Sequence, residues 1–356
     1  MSSTCNGSGK KVVVALSGGI DSSVSAYLLK KEGFEVVGVT GIMFESEQSN
    51  AIALRAKNIA DKLGIEHHVL NLSEDFKKNV TDYFENSYRQ GFTPNPCIKC
   101  NKFIKWGKIF DWAKSEIGAD FYATGHYARL VKKDGLYLLY PADDARKDQI
   151  YYLFELTQDK LSQTMFPLCG YTKEEIKKTA FELGFAQEKE YKESQDICFI
   201  PKTMNTQKYL LERFGKNEGD FVLINNDKRV GIHNGFYQYT IGQRKGVGVA
   251  YTEPLYVVDI DADKNIVYLG TREYLYKSEL ELHDFNFIDT TQGNEFEAYA
   301  KIRNNMPYQK VLVKTDGAGN VNLQFETPVS AVTNGQAAVL YDKNDKHLIG
   351  GAWIGY

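Results

Sequence analysis

Two groups of residues have the types and spacing that chemistry requires: a glycine- and serine-rich segment near the N-terminus and a sparse set of cysteines. The segment is Ser17-Gly18-Gly19-Ile20-Asp21-Ser22-Ser23, and it follows the apolar run 11–16. Gly18 and Gly19 carry no side chains, so backbone N–H groups can close around phosphate oxygens. A helix beginning near Ser22 would add unpaired N–H groups and the positive end of its dipole. The pattern therefore predicts a phosphate-binding loop.

The polar side chains of this loop have distinct expected roles. Ser17, Ser22 and Ser23 would supply hydroxyl donors, whereas Asp21 would repel a bare phosphate, so a magnesium ion between Asp21 and a pyrophosphate is expected. The loop lacks the Gly-Lys-Ser/Thr of the common nucleotide P-loop, which disfavours γ-phosphoryl transfer. The alternative interpretation is a tight glycine turn with a serine helix cap. The full string after an apolar strand favours phosphate binding.

Composition limits the class of protein. The 356 residues include 43 basic and 46 acidic side chains and are 43% apolar, which is typical of a globular protein with two or three domains. Five cysteines, an odd and sparse set, argue against a disulfide framework and favour reactive or metal-binding thiols. A net charge of −3 requires any RNA contact to rest on local basic patches. The sequence has no membrane-spanning apolar run and no signal-peptide core in residues 1–11, so a cytoplasmic protein without a membrane partner is expected.

Elements that position the loop alternate between strand and helix patterns. Strands are predicted at 11–16, 36–39, 67–72 and 120–124, and helices at 22–31 and 52–63, with Gly33 and Gly64 as C-terminal stops. This alternation predicts an α/β domain with a doubly wound, mostly parallel sheet. His67 and His68 lie in one of these strands and are expected to be structural.

Short strands separated by turn residues dominate after Pro201. The predicted pairs are 221–224 with 230–233, 256–260 with 266–269, and 311–314 with 321–325. They indicate a small β-rich middle domain and a C-terminal barrel or sandwich. The expected domains are 1–200, 201–275 and 276–356.

The loop resembles that of the PP-loop ATP pyrophosphatases, and further segments resemble the bacterial tRNA-specific 2-thiouridylases within that superfamily. The resemblance runs through almost the whole chain in the family's order. Its segments are Thr93-Pro94-Asn95-Pro96-Cys97-Ile98-Lys99-Cys100-Asn101-Lys102, Ala123-Thr124-Gly125-His126-Tyr127, Lys147-Asp148-Gln149, Ser194-Gln195-Asp196-Ile197-Cys198-Phe199-Ile200-Pro201, Thr240-Ile241-Gly242-Gln243-Arg244-Lys245-Gly246 and Val332-Thr333-Asn334-Gly335-Gln336.

The resemblance implies an ATP-dependent sulfur transfer to the wobble uridine of tRNA. The C2 oxygen of uracil is a poor leaving group, and transfer of AMP to it would allow a sulfur nucleophile to displace AMP. By motif match, Cys198 carries the persulfide and Cys100 is the second catalytic cysteine, which assists sulfur release by forming a disulfide. Lys99 and Lys102 are expected to lower the pKa of Cys100. Cys5 and Cys169 are interpreted as non-catalytic.

Cys97 departs from the commonest family pattern, which has aspartate at that position. With Cys100 it forms a C-x-x-C pair, a weak zinc signal on its own. Together with Cys198, the pair offers three thiolates for a [4Fe–4S] cluster with one open iron. The alternative places Cys97, with Asn95 and Pro96, in the pocket around the target base.

The resemblance also assigns binding residues. The ATP contacts are Ala15, Leu16, Ser17, Gly18, Gly19, Ile20, Asp21, Ser22, Gly41 and Gly125, although the sequence around Gly41 departs from the family's usual type. The tRNA contacts are Asn95, Pro96, Cys97, His126, Lys147, Asp148, Gln149, Arg303, Asn304 and Gln336. Asn304 replaces a usual aromatic residue, which weakens the case for base stacking there. A basic stretch of Lys99, Lys102, Lys105 and Lys108 is either a phosphate track or a solvated helix face.

The expected partners are the tRNAs for lysine, glutamate and glutamine, and a sulfur carrier or cysteine desulfurase. The target base is expected to leave its stack to reach the site. Two other functions remain open. A small-molecule PP-loop ligase would need an ammonia source and has no use for Cys198, and a non-catalytic tRNA-binding protein would need neither Asp21 nor the cysteines.

Overall fold

The computed structural model describes residues 9–187 and 197–356, apart from the side chain of Gln48. Cys5 and the Ser194-Gln195-Asp196 part of the second cysteine motif lie outside the described residues. The chain divides into two compact units. Unit 1 comprises residues 1–80, 97–195 and 345–348, and unit 2 comprises 81–96, 196–344 and 349–356.

The helices lie mostly in the first half of the chain. They are α1 Ile20–Lys31, α2 Glu47–Leu63, α3 Ser73–Phe76, α4 Asp82–Arg89, α5 Pro96–Lys99, α6 Phe110–Ser115, α7 Gln158–Ser162, α8 Lys173–Glu182 and α9 Thr206–Phe214. Two segments, Lys77–Thr81 and Cys100–Ile109, are π-helical, and Ile150–Leu153, Phe236–Gln238 and Arg272–Leu275 are 3-10 helices. No helix of the described residues is long and apolar enough to cross a membrane.

Unit 1 is built on a five-stranded sheet. Its strands and those of a neighbouring hairpin are β1 Lys11–Ala15, β2 Glu35–Ile42, β3 Glu66–Asn71, β4 Phe121–Ala123, β5 Arg129–Lys133, β6 Leu136–Tyr140 and β7 Thr164–Met165. The sheet order is β3-β2-β1-β4-β7, and every pair is parallel. The predicted doubly wound parallel sheet is confirmed. The β5–β6 hairpin turns at Asp134-Gly135, where both residues have positive φ.

The first strand is central because its side chains suit burial on both faces. Val12, Val13 and Val14 are completely buried. One core cluster packs this strand against Ala26 and Leu29 of α1 and against α2. Both predicted helix stops are confirmed, since Gly33 and Gly64 have φ of 87° and 59°, a backbone conformation that glycine adopts without steric cost.

Unit 2 contains two further sheets. The strands are β8 Gly219–Leu223, β9 Arg229–His233, β10 Tyr256–Asp261, β11 Ile266–Gly270, β12 Tyr276–Leu282, β13 Asn286–Phe287, β14 Glu295–Lys301, β15 Gln309–Thr315, β16 Val321–Ser330, β17 Ala337–Asp342 and β18 Leu348–Trp353. The first sheet has the order β10-β11-β8-β9 and the second β12-β16-β15-β14-β17-β18-β13.

Alternation of apolar residues explains the second sheet of unit 2. Val321, Leu323 and Phe325 are buried, whereas the residues between them are partly exposed. Together with Val313 and Leu340 they form one apolar core. The predicted succession of a β-rich middle region and a C-terminal barrel-like β-domain is confirmed.

Candidate functional site

The predicted phosphate loop lies between the end of β1 and the start of α1. Gly18 has a φ of +68°, and a Cβ there would lie 3.0 Å from the carbonyl oxygen of Ile52. Gly19 is the N-cap of α1 in an extended conformation and provides no side-chain cap. The N–H groups of the first turn therefore have no capping side chain, which suits a phosphate group at this helix terminus.

The serine hydroxyls brace the loop. Ser22 Oγ accepts a hydrogen bond from Ser17 N at 3.1 Å and donates to Gly19 O at 3.1 Å, while Ser23 Oγ donates to the same carbonyl oxygen at 2.8 Å. These contacts stabilise the turn, and the role of Ser17, Ser22 and Ser23 as phosphate donors stays a prediction.

Asp21 has cationic and phenolic partners. Lys173 Nζ donates to Oδ1 at 2.7 Å and to Oδ2 at 2.6 Å, and the Tyr127 hydroxyl donates to Oδ1 at 2.9 Å. Lys173 is 3% exposed. Sequence reasoning missed it, although Thr172 and Glu175 form the capping box that starts α8 and thereby marks this segment.

Gly125 lies directly against the phosphate loop. A Cβ at this position would lie 2.8 Å from Ser22 N and 2.9 Å from the Asp21 carbonyl carbon. Any side chain here would push into the start of α1, so the β4 loop requires glycine. Gly41 is tightly packed as well, because a Cβ there would lie 2.9 Å from Met43 Cε. The structure thus brings Gly125 into contact with the loop, and the role of Gly41 stays a prediction.

Cys97 and Cys100 belong to a helical segment that passes from α5 into a π-helix. Cys97 is exposed and Cys100 is half-buried. Burial raises the pKa of the Cys100 thiol, and the positive charge of Lys105 opposes this effect. The expectation that Lys99 and Lys102 lower this pKa is wrong, because both ammonium groups pair with the buried carboxylate of Glu155. Sequence reasoning did not single out Glu155.

His126 is buried beside Lys105, whose positive charge acts on the thiols of both Cys97 and Cys100. Lys105 Nζ lies 3.3 Å from its Nε2, and Thr124 Oγ1 lies 2.8 Å from its Nδ1. Burial first and Lys105 second lower the pKa of His126 well below its usual value. The imidazole is therefore neutral, with Nε2 accepting from Lys105 and Nδ1 donating to Thr124.

The other predicted tRNA residues of unit 1 form a turn near Tyr127. Gln149 Oε1 accepts from Tyr127 N at 2.9 Å, and Gln149 N donates to Tyr127 O at 2.9 Å. Asp148 Oδ1 accepts from Ala142 N at 3.2 Å. Lys147 is half-buried and donates its backbone N–H to Asp144 O. Gln149 thus fixes the backbone of the residue that holds Asp21.

Unit 2 brings three predicted tRNA residues together. Gln336 Nε2 donates to Thr93 O at 2.7 Å, and Thr93 N donates to Asn334 O at 2.8 Å, which holds the 93–96 segment with Asn95 and Pro96 against the 333–336 turn. Arg303 and Asn304 follow β14 in the same unit. Arg303 is exposed and donates to Ser330 O at 3.0 Å, and Asn304 donates to Asn305.

Cys198 is exposed in a turn of unit 2. Ile200 N donates to Ile197 O at 3.1 Å to close the turn. Phe199 anchors it by edge contacts with Phe84, at 5.2 Å between ring centroids, and Tyr209. The turn thus holds an exposed cysteine next to packed aromatic side chains.

Comparisons with known proteins place this arrangement in a family. Three family models match in succession: tRNA methyl transferase HUP domain at residues 10–202, tRNA methyl transferase PRC-barrel domain at 207–271, and aminomethyltransferase beta-barrel domain at 277–354. The tRNA-specific 2-thiouridylase MnmA 2 of Clostridium botulinum (strain Okra / Type B1) is 42% identical over 97% of this chain and 99% of its own. The chain belongs to the tRNA-specific 2-thiouridylases.

Other 2-thiouridylases match as completely. That of Carboxydothermus hydrogenoformans is 43% identical over 97% of both chains, and that of Clostridium perfringens (strain 13 / Type A) is 41% identical over 97% of this chain and 98% of its own. The predicted activity, 2-thiolation of a tRNA uridine by a PP-loop enzyme, is confirmed at the level of the family.

Among solved structures, the U34-tRNA thiolase NcsA from Methanococcus maripaludis with its [4Fe-4S] cluster aligns at 19% identity and a TM-score of 0.37, over 59% of this chain and 68% of that one. That similarity is too remote to bear on mechanism.

Proposed function

We propose that this 2-thiouridylase modifies the wobble uridine of tRNA by adenylating its C2 oxygen and then transferring sulfur from a persulfide on Cys198. The observation that carries the proposal is the N-terminus of α1, which no side chain caps and which lies behind two glycines in the same unit as Cys100. Phosphate binding at this helix terminus would serve the adenylation step, and the Cys100 thiol would serve the sulfur-transfer step.

The proposed chemistry takes three steps and a final reduction. The C2 oxygen attacks the α-phosphorus of ATP and releases pyrophosphate, leaving AMP on the oxygen. The terminal sulfur of the Cys198 persulfide attacks C2 and AMP departs, which leaves the base joined to Cys198 through a disulfide. The Cys100 thiolate attacks Cys198 Sγ, releases 2-thiouridine and forms a Cys100–Cys198 disulfide, which an external dithiol must reduce before the next turnover.

Several finer assignments belong to the same proposal. Magnesium would accompany ATP, with Asp21 as its expected ligand. The substrates would be the tRNAs for lysine, glutamate and glutamine, and a persulfide-bearing carrier or cysteine desulfurase would load Cys198 in the cytoplasm. The domain limits at residues 200 and 275 and the predicted ATP and tRNA contacts stay predictions. The phosphate track of lysines also stays a prediction. Three of its members pair with carboxylates of the protein itself: Lys108 with Asp75 at 3.0 Å, and Lys99 and Lys102 with Glu155.

An iron-sulfur cluster is the alternative use of the cysteines. Three thiolates from Cys97, Cys100 and Cys198 would leave one iron open to bind sulfide, which is the chemistry such a cluster would supply. Two of these donors suit a soft metal site, because Cys97 and Cys100 are thiols three residues apart on one helical segment. Anaerobic purification yielding full activity without iron or acid-labile sulfide would exclude the cluster.

Nucleoside mass spectrometry tests the function directly. Transfer RNA from a deletion strain should lack 2-thiouridine, wild-type enzyme should restore it, and Cys198→Ser or Cys100→Ser should not. Cys169→Ser is the matched control and should restore it fully. Normal 2-thiouridine with Cys198→Ser would overturn the persulfide mechanism, and normal 2-thiouridine in the deletion strain, with no second gene for the activity, would overturn the function.

A further inference from the structure

Helix α8 places a buried cation beside the phosphate loop. Lys173 is the first residue of α8, and its ammonium group contacts both carboxylate oxygens of Asp21 in the first turn of α1. The two helices pack through one apolar cluster that includes Ile20, Val24 and Ile176. The ammonium therefore reaches the start of α1 from a helix whose position packing already fixes.

Structural needs alone do not account for a lysine at this position. A lysine is almost never fully buried unless it is paired, and a cation at a helix N-terminus opposes the helix dipole. The Asp21 side chain is 32% exposed and already accepts a hydrogen bond from Tyr127, so solvent and a phenolic donor serve this carboxylate as well as the buried cation does. An uncharged residue of similar length would pack against the same cluster without these costs.

Positive charge is concentrated at Asp21. The N-terminus of α1 and the ammonium of Lys173 both lie at Asp21. The N-terminus of α8 has its own partners, since Thr172 and Glu175 form a capping box and Asp144 accepts from Lys173 N at 3.0 Å. The ring of Tyr127 covers the ammonium at 5.7 Å from its centroid. A pyrophosphate group carries more negative charge than the Asp21 carboxylate that the ammonium contacts.

We propose that Lys173 is a further residue of the nucleotide site, held by Asp21 in the free protein and contacting the pyrophosphate oxygens of ATP when Mg·ATP enters. The exchange releases the Asp21 carboxylate to the magnesium ion, so one carboxylate positions the lysine before binding and the metal after it. This rests on the proposed use of ATP. It adds a phosphate ligand that lies about 150 residues beyond the loop in the sequence.

Binding measurements on Lys173→Met test this assignment, with Lys178→Met as the matched control. Lys178 lies on the same helix with its side chain 78% exposed. Calorimetric titration would use three probes: Mg·ATP, inorganic pyrophosphate and AMP. Lys173→Met should weaken ATP and pyrophosphate binding at least tenfold and leave AMP binding within about twofold, because AMP lacks the pyrophosphate group. Lys178→Met should match wild type for all three.

A separate control tests whether the variants fold. Lys173→Met leaves Asp21 without its cation, so the double variant Asp21→Asn with Lys173→Met removes both charges, and thermal unfolding identifies which variant is folded. Pyrophosphate binding equal to wild type in a folded variant overturns the proposal, as does equal loss of AMP and pyrophosphate binding, which indicates a purely structural pair. Failure of the wild-type enzyme to bind Mg·ATP, alone or with tRNA, would instead contradict the proposed function.

Discussion

At the scale of single residues, Cys100 is subject to two opposing influences. Burial raises the pKa of its thiol, and the charge of Lys105 lowers it. The lysines immediately beside it in the sequence do not act on it, because Glu155 pairs with both. The cation that matters is five residues away along a π-helical segment, a spacing close to one turn of such a helix.

We expect Lys105→Met to slow alkylation of Cys100 about three- to tenfold near neutral pH, since each unit of pKa changes the thiolate fraction tenfold. Iodoacetamide labelling, read by mass spectrometry of the Cys100 peptide as a function of pH, measures this. Lys108→Met is the control, because Lys108 is exposed and pairs with Asp75. An unchanged pH profile for Lys105→Met would show that another group sets the reactivity.

His126 links the same lysine to the stability of the protein. Its folded pKa lies well below the value in the unfolded chain, so the unfolded state binds the proton first as the pH falls below about 6.5. Folding should therefore lose up to about 1.4 kcal/mol per pH unit from this residue below that pH. Melting temperatures from pH 7.5 to 5.5 should fall less steeply in His126→Gln than in wild type, and parallel curves would contradict the assignment.

At the scale of elements, the β4 loop and the start of α1 must approach closely. We expect Gly125→Ala to raise the KM for ATP about tenfold or more and to cost about 1–3 kcal/mol of stability, as overpacked sites do, because its Cβ would meet the backbone of Asp21 and Ser22. Steady-state kinetics and denaturant unfolding measure the two effects. Gly293→Ala is the control, since a Cβ there meets nothing within 4 Å. A wild-type KM for Gly125→Ala would show that the loop tolerates displacement.

At the scale of the whole molecule, the predicted tRNA residues fall on both units, while the phosphate loop lies on unit 1 alone. RNA affinity and ATP affinity should therefore be separable by mutation. Arg303→Ala in unit 2 should weaken tRNA binding and reduce the slope of log K against log salt by about one, the value for one lost phosphate contact. ATP binding should not change.

Filter binding of tRNA at several salt concentrations provides the measurement. Lys314→Ala is the control because Lys314 is an exposed cation on β15, the strand that follows Arg303 in the chain. If the two variants lose affinity equally, Arg303 contributes only general positive charge and the family-derived contact does not apply to this chain.

Local chemistry in the sequence determined the phosphate loop, the parallel sheet, the glycine stops of α1 and α2 and the two motif cysteines. Each depends on residues that are neighbours in the chain, where backbone conformation and short-range periodicity decide the outcome. Only the tertiary structure decided which charges meet. Lys173 reaches Asp21 across 152 residues, and Glu155 takes the two lysines beside Cys100. The electrostatics of a buried group depend on which elements pack against it, and a linear pattern does not specify that packing.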